Sequence, residues 1–177
     1  ELVVDGRPAA LAASGTARIP AVTVRGVALR DVRARWNYTD QLLTIESLEG
    51  TGQGARLSGN GIVDLSRRPI RLGASVAFSG LALRRLPVPT PNGAAPLSGR
   101  ASGQVLVSGS LVRPALVADV MVRDAVVERI PLEAVAMRLS SSGGPIVVER
   151  LRATDPKGVL DASGQVTRAG DLRLQFA

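Results

Sequence analysis

Apolar and polar side chains alternate along much of the chain. In the cleanest stretch, from Ile70 to Ser79, every second residue up to Phe78 is aliphatic or aromatic, and small or charged residues lie between them. The stretch from Leu116 to Arg123 repeats this pattern. Successive side chains of a β-strand point to opposite faces of a sheet, so a period of two residues predicts strands with one apolar face.

Clusters of Gly, Pro and Ser separate the alternating stretches, as at 66–69, 108–114 and 140–145. These residues favour turns, because Gly adopts positive φ angles, Pro fixes φ, and Ser side chains bond to the nearby backbone. Roughly twelve to fourteen strands fit between the turns, with little or no helix. The sequence therefore predicts an all-β fold.

Three stretches depart from simple alternation. Residues 1–20 begin as a strand and are predicted to end in a turn at Pro20. Residues 21–36 lose phase at Gly26, which predicts a strand with a β-bulge there and leaves a helix as the alternative. Residues 87–97 are rich in Pro, which cannot donate a ladder hydrogen bond, so a loop or an edge insertion is predicted.

The chain contains an internal repeat. Ser-Gly pairs recur at equal intervals, at 14–15, 58–59 and 102–103. A single offset aligns two pairs of segments, 28–36 with 131–139 and 43–48 with 146–151. A repeated meander predicts an elongated, curled antiparallel sheet, a β-taco or groove with an apolar inner face, rather than a closed barrel. A closed sandwich, in which the same face is the core, also fits the alternation.

The side chains predicted to line the apolar inner face come from the strands with the clearest alternation. They are Val22, Val24, Ile70, Leu72, Ala74, Val76, Phe78, Leu116, Ala118, Val120 and Val122. All but one are aliphatic. Small aliphatic linings leave room for a ligand that large aromatic side chains would fill.

Composition narrows the class of protein. Apolar residues make up 45% of the chain but aromatic residues only 2%. Compact cores rely on aromatic residues for much of their burial, so this balance favours a thin, repeated sheet over a compact enzyme. The chain has no cysteine and no histidine, which removes disulfides, cysteine-bound zinc and the commonest general base. No apolar run approaches the roughly 18 residues of a membrane helix.

The net charge is +7 and comes almost entirely from arginine, since Lys157 is the only lysine. The arginines are dispersed along the chain, which fits a solvated outer face. Attraction to the phosphates of nucleic acid or of anionic lipid headgroups is the alternative. Because so few aromatic residues are present to stack on bases, no nucleic-acid partner is expected.

No grouping of residues predicts catalysis. The candidate carboxylates lie on alternating strands or in turns, where solvated charge is their ordinary role: Glu46, Glu49, Glu128, Glu149, Asp155 and Asp161. The glycine-rich stretch 49–61 lacks the spacing of a dinucleotide-binding loop, and no amphipathic helix follows it. Catalytic residues, a cofactor and a metal site are therefore not expected.

One motif occurs twice. Residues 61–69, GIVDLSRRP, lead into the strand IRLGASVAF, and residues 109–114, GSLVRP, lead into ALVADVMVRD. This pattern resembles the C-terminal repeat region of the translocation and assembly module (TamB) family, within the wider AsmA-like group of bacterial proteins. The resemblance covers residues 14–176 and rests on repetition and composition rather than on any invariant residue.

The resemblance implies a taco-shaped β structure in the periplasmic part of a protein anchored in the inner membrane of a Gram-negative envelope. It implies that the apolar groove carries phospholipid, held by its acyl chains, between the inner and outer membranes. The alternative that it implies is a scaffold for outer-membrane biogenesis and protein secretion. Such a scaffold assists the assembly of β-barrels and autotransporters by β-strand augmentation, with an outer-membrane partner of the Omp85 type.

The resemblance also bears on domain organisation. It implies that residues 1–177 are a single all-β repeat segment of a longer protein, which contacts the membrane through parts outside this segment. Residues 1–97 and 98–177 are candidate sub-repeats within it.

Overall fold

The chain forms one antiparallel β-sheet in the computed structural model. The structure describes residues 2–7, 10–24, 27–83, 98–127, 130–166 and 172–177. These residues form twelve strands, and the order of the strands in the sheet is their order in the chain. The predicted all-β antiparallel meander is therefore confirmed.

The strands and their bounds are β1 (Leu2–Arg7), β2 (Ala10–Val24), β3 (Val27–Thr39), β4 (Leu42–Gly52), β5 (Ala55–Asp64), β6 (Arg71–Ala82), β7 (Ser98–Ser110), β8 (Pro114–Val127), β9 (Ile130–Ser142), β10 (Ile146–Asp155), β11 (Gly158–Val166) and β12 (Leu172–Phe176).

Short turns set the register of several hairpins. Strands β4 and β5 are joined by Gln53 and Gly54, with φ angles of 52° and 84°. Strands β3 and β4 are joined by Asp40 and Gln41, with φ angles of 50° and 66°. Two consecutive positive φ angles match the right-handed twist of the flanking strands, so each pair of residues closes a tight antiparallel hairpin.

The sequence repeat is also a structural repeat. The register shifts between Ile45 and Leu48 where β4 pairs with β5. It shifts between Val148 and Leu151 where β10 pairs with β11. These positions are related by the offset that aligns the repeated segments, so the irregularity of the ladder recurs with the sequence. A β-bulge bends its strand and increases the local twist, so bulges at equivalent positions curl the sheet in the same way in each copy.

The sheet is a single layer that does not close. In the described part of the sheet, β1 pairs only with β2, and β12 only with β11. The chain exposes 12297 Å², whereas a compact protein of 18.4 kDa would expose roughly 8,200 Å². The closed sandwich that the sequence left open does not match this large surface.

Only small side chains are buried where side chains are described. They are Ala55, Ser98, Ala101, Ala118, Val122, Ala125, Val148, Ala153 and Ala162. In a two-layer protein the larger Leu, Ile and Phe side chains would be buried as well, because the second layer covers them. Here the small residues are shaded by larger neighbours on the same face.

Two sequence predictions about the first strands are wrong. Pro20 does not end a turn but lies within β2 opposite Asp31, where the ladder between β2 and β3 is interrupted, which suits a residue without a backbone N–H. Residues 21–24 and 27–36 belong to two antiparallel strands, β2 and β3, rather than to one bulged strand or a helix. The loss of phase marks the change of strand direction. The Pro-rich stretch 87–97 lies outside the described residues.

Candidate functional site

The two faces of the sheet differ in chemistry along their whole extent. One row of directly paired positions crosses the sheet from β2 to β12 and contains only aliphatic residues and glycine. It comprises Ala17, Ala34, Leu48, Gly59, Val76, Val105, Ala118, Leu139, Val148, Gly164 and Leu174. The face that carries this row is called the apolar face below.

The opposite face, called the polar face, is one residue out of step. Its corresponding row comprises Arg18, Arg33, Glu49, Ser58, Ala77, Gln104, Asp119 and Arg138. Strand pairing keeps side chains of paired residues on the same face, so one mismatch in register would mix the two rows. The register therefore produces an uninterrupted apolar face.

The structure brings most of the predicted lining residues together on the apolar face. The stripe from Leu72 to Phe78 on β6 and the stripe from Leu116 to Val122 on β8 are joined through β7. Val22 lies opposite Leu29, on the same face.

Two predicted lining residues lie at the margin. Ile70 directly precedes β6, and its carbonyl accepts a hydrogen bond of 2.9 Å from the N–H of Leu111. Val24 ends β2 opposite Val27, and its side chain lies outside the described part of the structure.

Sequence reasoning missed apolar residues that lie beyond two positions of positive φ. Asp124 has a φ of 51°, and across it the spacing between successive residues of the apolar face is three instead of two, from Val122 to Ala125. Gly80, with a φ of 76°, moves the phase from Phe78 to Leu81 in the same way. Around the best-buried cluster, these shifts add Leu81, Ala125 and Leu132, whereas Ala101, Val135 and Met137 continue the regular alternation on strands that the predicted lining left out. An apolar spacing of three instead of two is the signal that could have found the first three of these.

The repeated glycines make room for the largest apolar side chains. Gly15 lies directly opposite Trp36, and Gly103 lies opposite Phe78. A Cβ atom at Gly103 would lie 3.0 Å from Cζ of Phe78 and would overlap the carbonyl oxygen of Asp119. The glycine of each Ser-Gly pair thus lies on the apolar face, where it leaves room for the side chain opposite, and the serine lies on the polar face.

Ion pairs bridge the strands of the C-terminal part of the polar face. Arg138 contacts Asp119 at 3.5 Å and Glu149 at 3.1 Å. Arg152 donates two hydrogen bonds of 2.8 Å to the carboxylate of Asp161. These hydrogen bonds hold the pKa of Asp161 below its usual value of 3.8, because they stabilise the ionised carboxylate.

The N-terminal part of the polar face is paired less well. Arg18 lies directly opposite Arg33, a like-charged neighbour, and contacts Asp31 at 3.8 Å. Arg33 and Arg56 form no ion pair with a residue that the structure describes. The two parts of the polar face therefore carry similar side chains in different arrangements.

Two open depressions that each span four strands lie on the polar face of the described sheet, because a twisted sheet is saddle-shaped and each face is concave along one diagonal. One, of about 500 Å³, spans β3 to β6 and includes Arg33 and Arg56. The other, of about 620 Å³, spans β7 to β10 and includes Arg138, Arg150 and Arg152. Both are shallow and lined by charged side chains that reach solvent, so neither resembles a substrate pocket.

The described residues show no arrangement for metal chemistry. Across the ranges given above, no three acidic side chains gather closely enough to hold a metal ion. In the same ranges no helix has the length and apolar character needed to cross a membrane. The largest chemical feature of the described structure is therefore the apolar face itself.

The comparisons with known proteins identify no family. No protein-family model matches the chain, and searches of curated proteins and of solved structures find no match. The chemistry of the two faces must therefore carry any functional argument.

Proposed function

We propose that the apolar face binds the acyl chains of phospholipid, and that this chain is a segment of a periplasm-spanning envelope protein that carries phospholipid between the inner and outer membranes. The observation that supports the proposal is the uncharged row that crosses the sheet from β2 to β12 without a second layer above it. An apolar face of this size on a protein in water requires something to cover it.

The energetics suit a lipid. Moving a chain of about fifteen methylenes through water costs roughly 12 kcal/mol, at about 0.8 kcal/mol per methylene. A continuous apolar surface removes most of this cost at every point along the path and requires no specific residue. Ten strand spacings of about 4.8 Å, from β2 to β12, make the path roughly 48 Å long, and the headgroup can stay in water throughout.

Trp36 offers a direct test, because it is the only tryptophan in the chain and it lies on the apolar face. Brominated lysophospholipid, added below its micelle concentration, should quench its fluorescence and shift its emission to shorter wavelength. The matched control is the double variant Trp36→Phe/Leu106→Trp, which moves the tryptophan to an exposed site on the polar face. Equal quenching of both proteins would contradict the proposal.

Photo-crosslinking gives a second readout. Probes at Val76 and Val120, on the apolar face, should form lipid adducts, whereas probes at Arg71 and Asp119, on the polar face, should not. Charged substitutions at the same apolar positions, Val76→Glu with Val120→Glu, should abolish the quenching of Trp36 while the circular dichroism of the sheet is retained. Adducts at all four positions alike would argue against a lipid-binding face.

A second candidate function is supported by β12, which pairs only with β11 among the described strands. Ala177 donates its N–H to the carbonyl of Asp161, so alternation along the strand points the N–H groups of Leu174 and Phe176 away from β11. An unpaired strand edge can receive a client strand by β-augmentation, as a scaffold for β-barrel assembly would require. Phe176→Pro should abolish capture of an unfolded β-barrel peptide and leave the quenching of Trp36 unchanged, and the reverse result would exclude this function.

A further inference from the structure

Four neighbouring turns lie at the same end of the strands. They are residues 40–41, 65–70, 111–113 and 143–145, and together they are called the turn edge below. Backbone hydrogen bonds join them. The N–H of Leu65 donates to the carbonyl of Gln41 at 2.8 Å, and the N–H of Leu111 donates to the carbonyl of Ile70 at 2.9 Å. A Cβ atom at Gly143 would lie 3.4 Å from Cβ of Arg113, so the fourth turn adjoins the third.

The tip of the turn edge carries two adjacent, highly exposed aliphatic side chains. Val112 is 78% exposed and Leu111 is 60% exposed, and Val112 is the most exposed large apolar residue of those that the structure describes. Turns normally carry Gly, Pro, Asn, Asp or Ser at such positions. Scattered single apolar residues on a surface need no explanation, but an adjacent pair at the tip of a turn does.

The aliphatic pair is not needed to hold the turn together. The N–H of Arg113 donates to the carbonyl oxygen of Ser110 and to its hydroxyl, both at 3.1 Å. Together with the bond from Leu111 to Ile70, these hydrogen bonds fix the backbone. The side chains of Leu111 and Val112 therefore project from a turn that its own main chain stabilises.

Positively charged residues lie in the same turn as the aliphatic tip and in the adjoining turn. Arg113 directly follows the tip, and the adjacent turn supplies Arg67 and Arg68. Arg67 pairs with Asp64 at 3.2 Å, while Arg68 and Arg113 form no ion pair within the described ranges. An exposed aliphatic tip with arginines around it fits the boundary between headgroups and acyl chains of an anionic bilayer.

We infer that the turn edge docks on an anionic lipid surface, with Leu111 and Val112 inserted among the headgroups and Arg68 and Arg113 against lipid phosphates. The charge complementarity and the pairing of apolar tip with basic surround select a lipid surface over a protein groove. The inference goes beyond the proposed function, since it gives this segment a membrane contact of its own, on a surface separate from the apolar face.

The test is partition onto vesicles at low ionic strength. The chain should sediment with vesicles of equal parts phosphatidylcholine and phosphatidylglycerol and much less with phosphatidylcholine alone, and added salt should weaken the binding. The double variant Leu111→Ser/Val112→Ser should bind at least about tenfold more weakly, because the inserted apolar groups are lost. The double variant Arg68→Gln/Arg113→Gln should lose about fivefold for each arginine.

Matched controls distinguish vesicle binding by the turn edge from binding by exposed aliphatic residues or arginines elsewhere on the chain. Ile62→Ser/Leu106→Ser removes two exposed aliphatic residues that lie on strands of the polar face and not in a turn. Arg33→Gln/Arg56→Gln removes two charges from the same face. Both controls should partition like the unaltered chain. The inference is overturned if either control weakens binding as much as its turn-edge counterpart, or if the unaltered chain ignores anionic vesicles.

The outcome is distinguishable from a failure of the proposed function. The Leu111→Ser/Val112→Ser variant should keep the quenching of Trp36 by monomeric lysophospholipid. The Val76→Glu/Val120→Glu variant should lose that quenching and keep its partition onto vesicles. Circular dichroism of each variant checks that the sheet is intact. Loss of vesicle binding together with loss of quenching in both variants would show that one surface serves both processes, contrary to the inference.

Discussion

The apolar and polar faces are built from the same strands, one residue out of step, yet their side chains differ greatly in burial. On the apolar face a side chain packs against its neighbours in the adjacent strands, and small residues such as Ala118 become buried. On the polar face even paired charges remain largely exposed, as the pair of Arg138 and Asp119 shows. Sequence patterning sets both faces, but the stability of the sheet depends mainly on one of them.

The largest expected contrast comes from the adjacent residues Met121 and Val122. Met121 is 42% exposed on the polar face, and Val122 is 4% exposed on the apolar face. Val122→Asp should lower the free energy of unfolding by about 3–5 kcal/mol, because it buries an unpaired charge. Met121→Asp should change it by less than about 1 kcal/mol. Urea denaturation measures both, and similar losses would show that the two faces are equally buried.

A methyl group tests the close approach at the repeated glycines. Gly103→Ala should cost about 1–3 kcal/mol, because the new Cβ meets the Asp119 carbonyl and the ring of Phe78. Gly73→Ala is the matched control, since nothing lies within 4 Å of its added Cβ, and its effect should stay within about 0.5 kcal/mol. Thermal unfolding of the two variants makes the comparison, and an unaffected Gly103→Ala protein would exclude a packing role for the repeat.

The pair of Arg152 and Asp161 on the polar face should make the stability of the sheet depend on pH. Hydrogen bonds from Arg152 hold the pKa of Asp161 below 3.8 in the folded state. At pH values between this lowered pKa and 3.8, the unfolded state therefore binds more protons than the folded state. The stabilisation from Asp161 is therefore complete above pH 3.8 and is lost as the pH falls through the lower folded-state pKa. The Tm of the unaltered chain should fall more steeply in this range than that of Asp161→Asn.

Glu133→Gln is the control for the pH experiment, because Glu133 is an exposed carboxylate that forms no ion pair in the described structure. It should leave the steepness of the acid transition nearly as in the unaltered chain. Equal flattening by both variants would mean that loss of any carboxylate, rather than the pair with Arg152, governs the response.

The smallest expected effect compares two arginines of the polar face. Arg138→Gln should cost about 0.2–1 kcal/mol, because it removes contacts with Asp119 and Glu149 at an exposed site. Arg33→Gln should be nearly neutral, since Arg33 forms no ion pair in the described structure and lies between the like-charged Arg18 and the oppositely charged Glu49. High salt should erase the difference. A larger loss from Arg33→Gln would contradict the pairing described here.

Much of the sheet was predictable because its clearest strands are regular. The alternation along β6 and β8 placed Leu72 to Phe78 and Leu116 to Val122 on one face, as the register shows. Prediction failed where the backbone, not the side chain, changes the phase. The positive φ of Asp124 is available to several residue types, so the type of residue does not mark it, and the apolar spacing of three from Val122 to Ala125 is its only signal.

The hairpin between β2 and β3 shows the same limit. Alternation on either side of Gly26 differs by one residue, and a bulge and a reversal of direction produce that difference equally well. Only the pairing of Val22 with Leu29 separates the two. The lipid-binding function of the apolar face stays a prediction, because periodicity and register describe which residues share a face and not what covers it.

The strict sequential order of the strands has a consequence for folding kinetics. Every strand pairs with its immediate neighbours in the chain, so no hairpin waits for a distant segment, and the loop-closure entropy that slows most all-β proteins stays small. We expect the sheet to assemble hairpin by hairpin while the chain is being synthesised, each completed strand serving as the template for the next. An extended array of such repeats would then fold at a rate set by one hairpin rather than by its length.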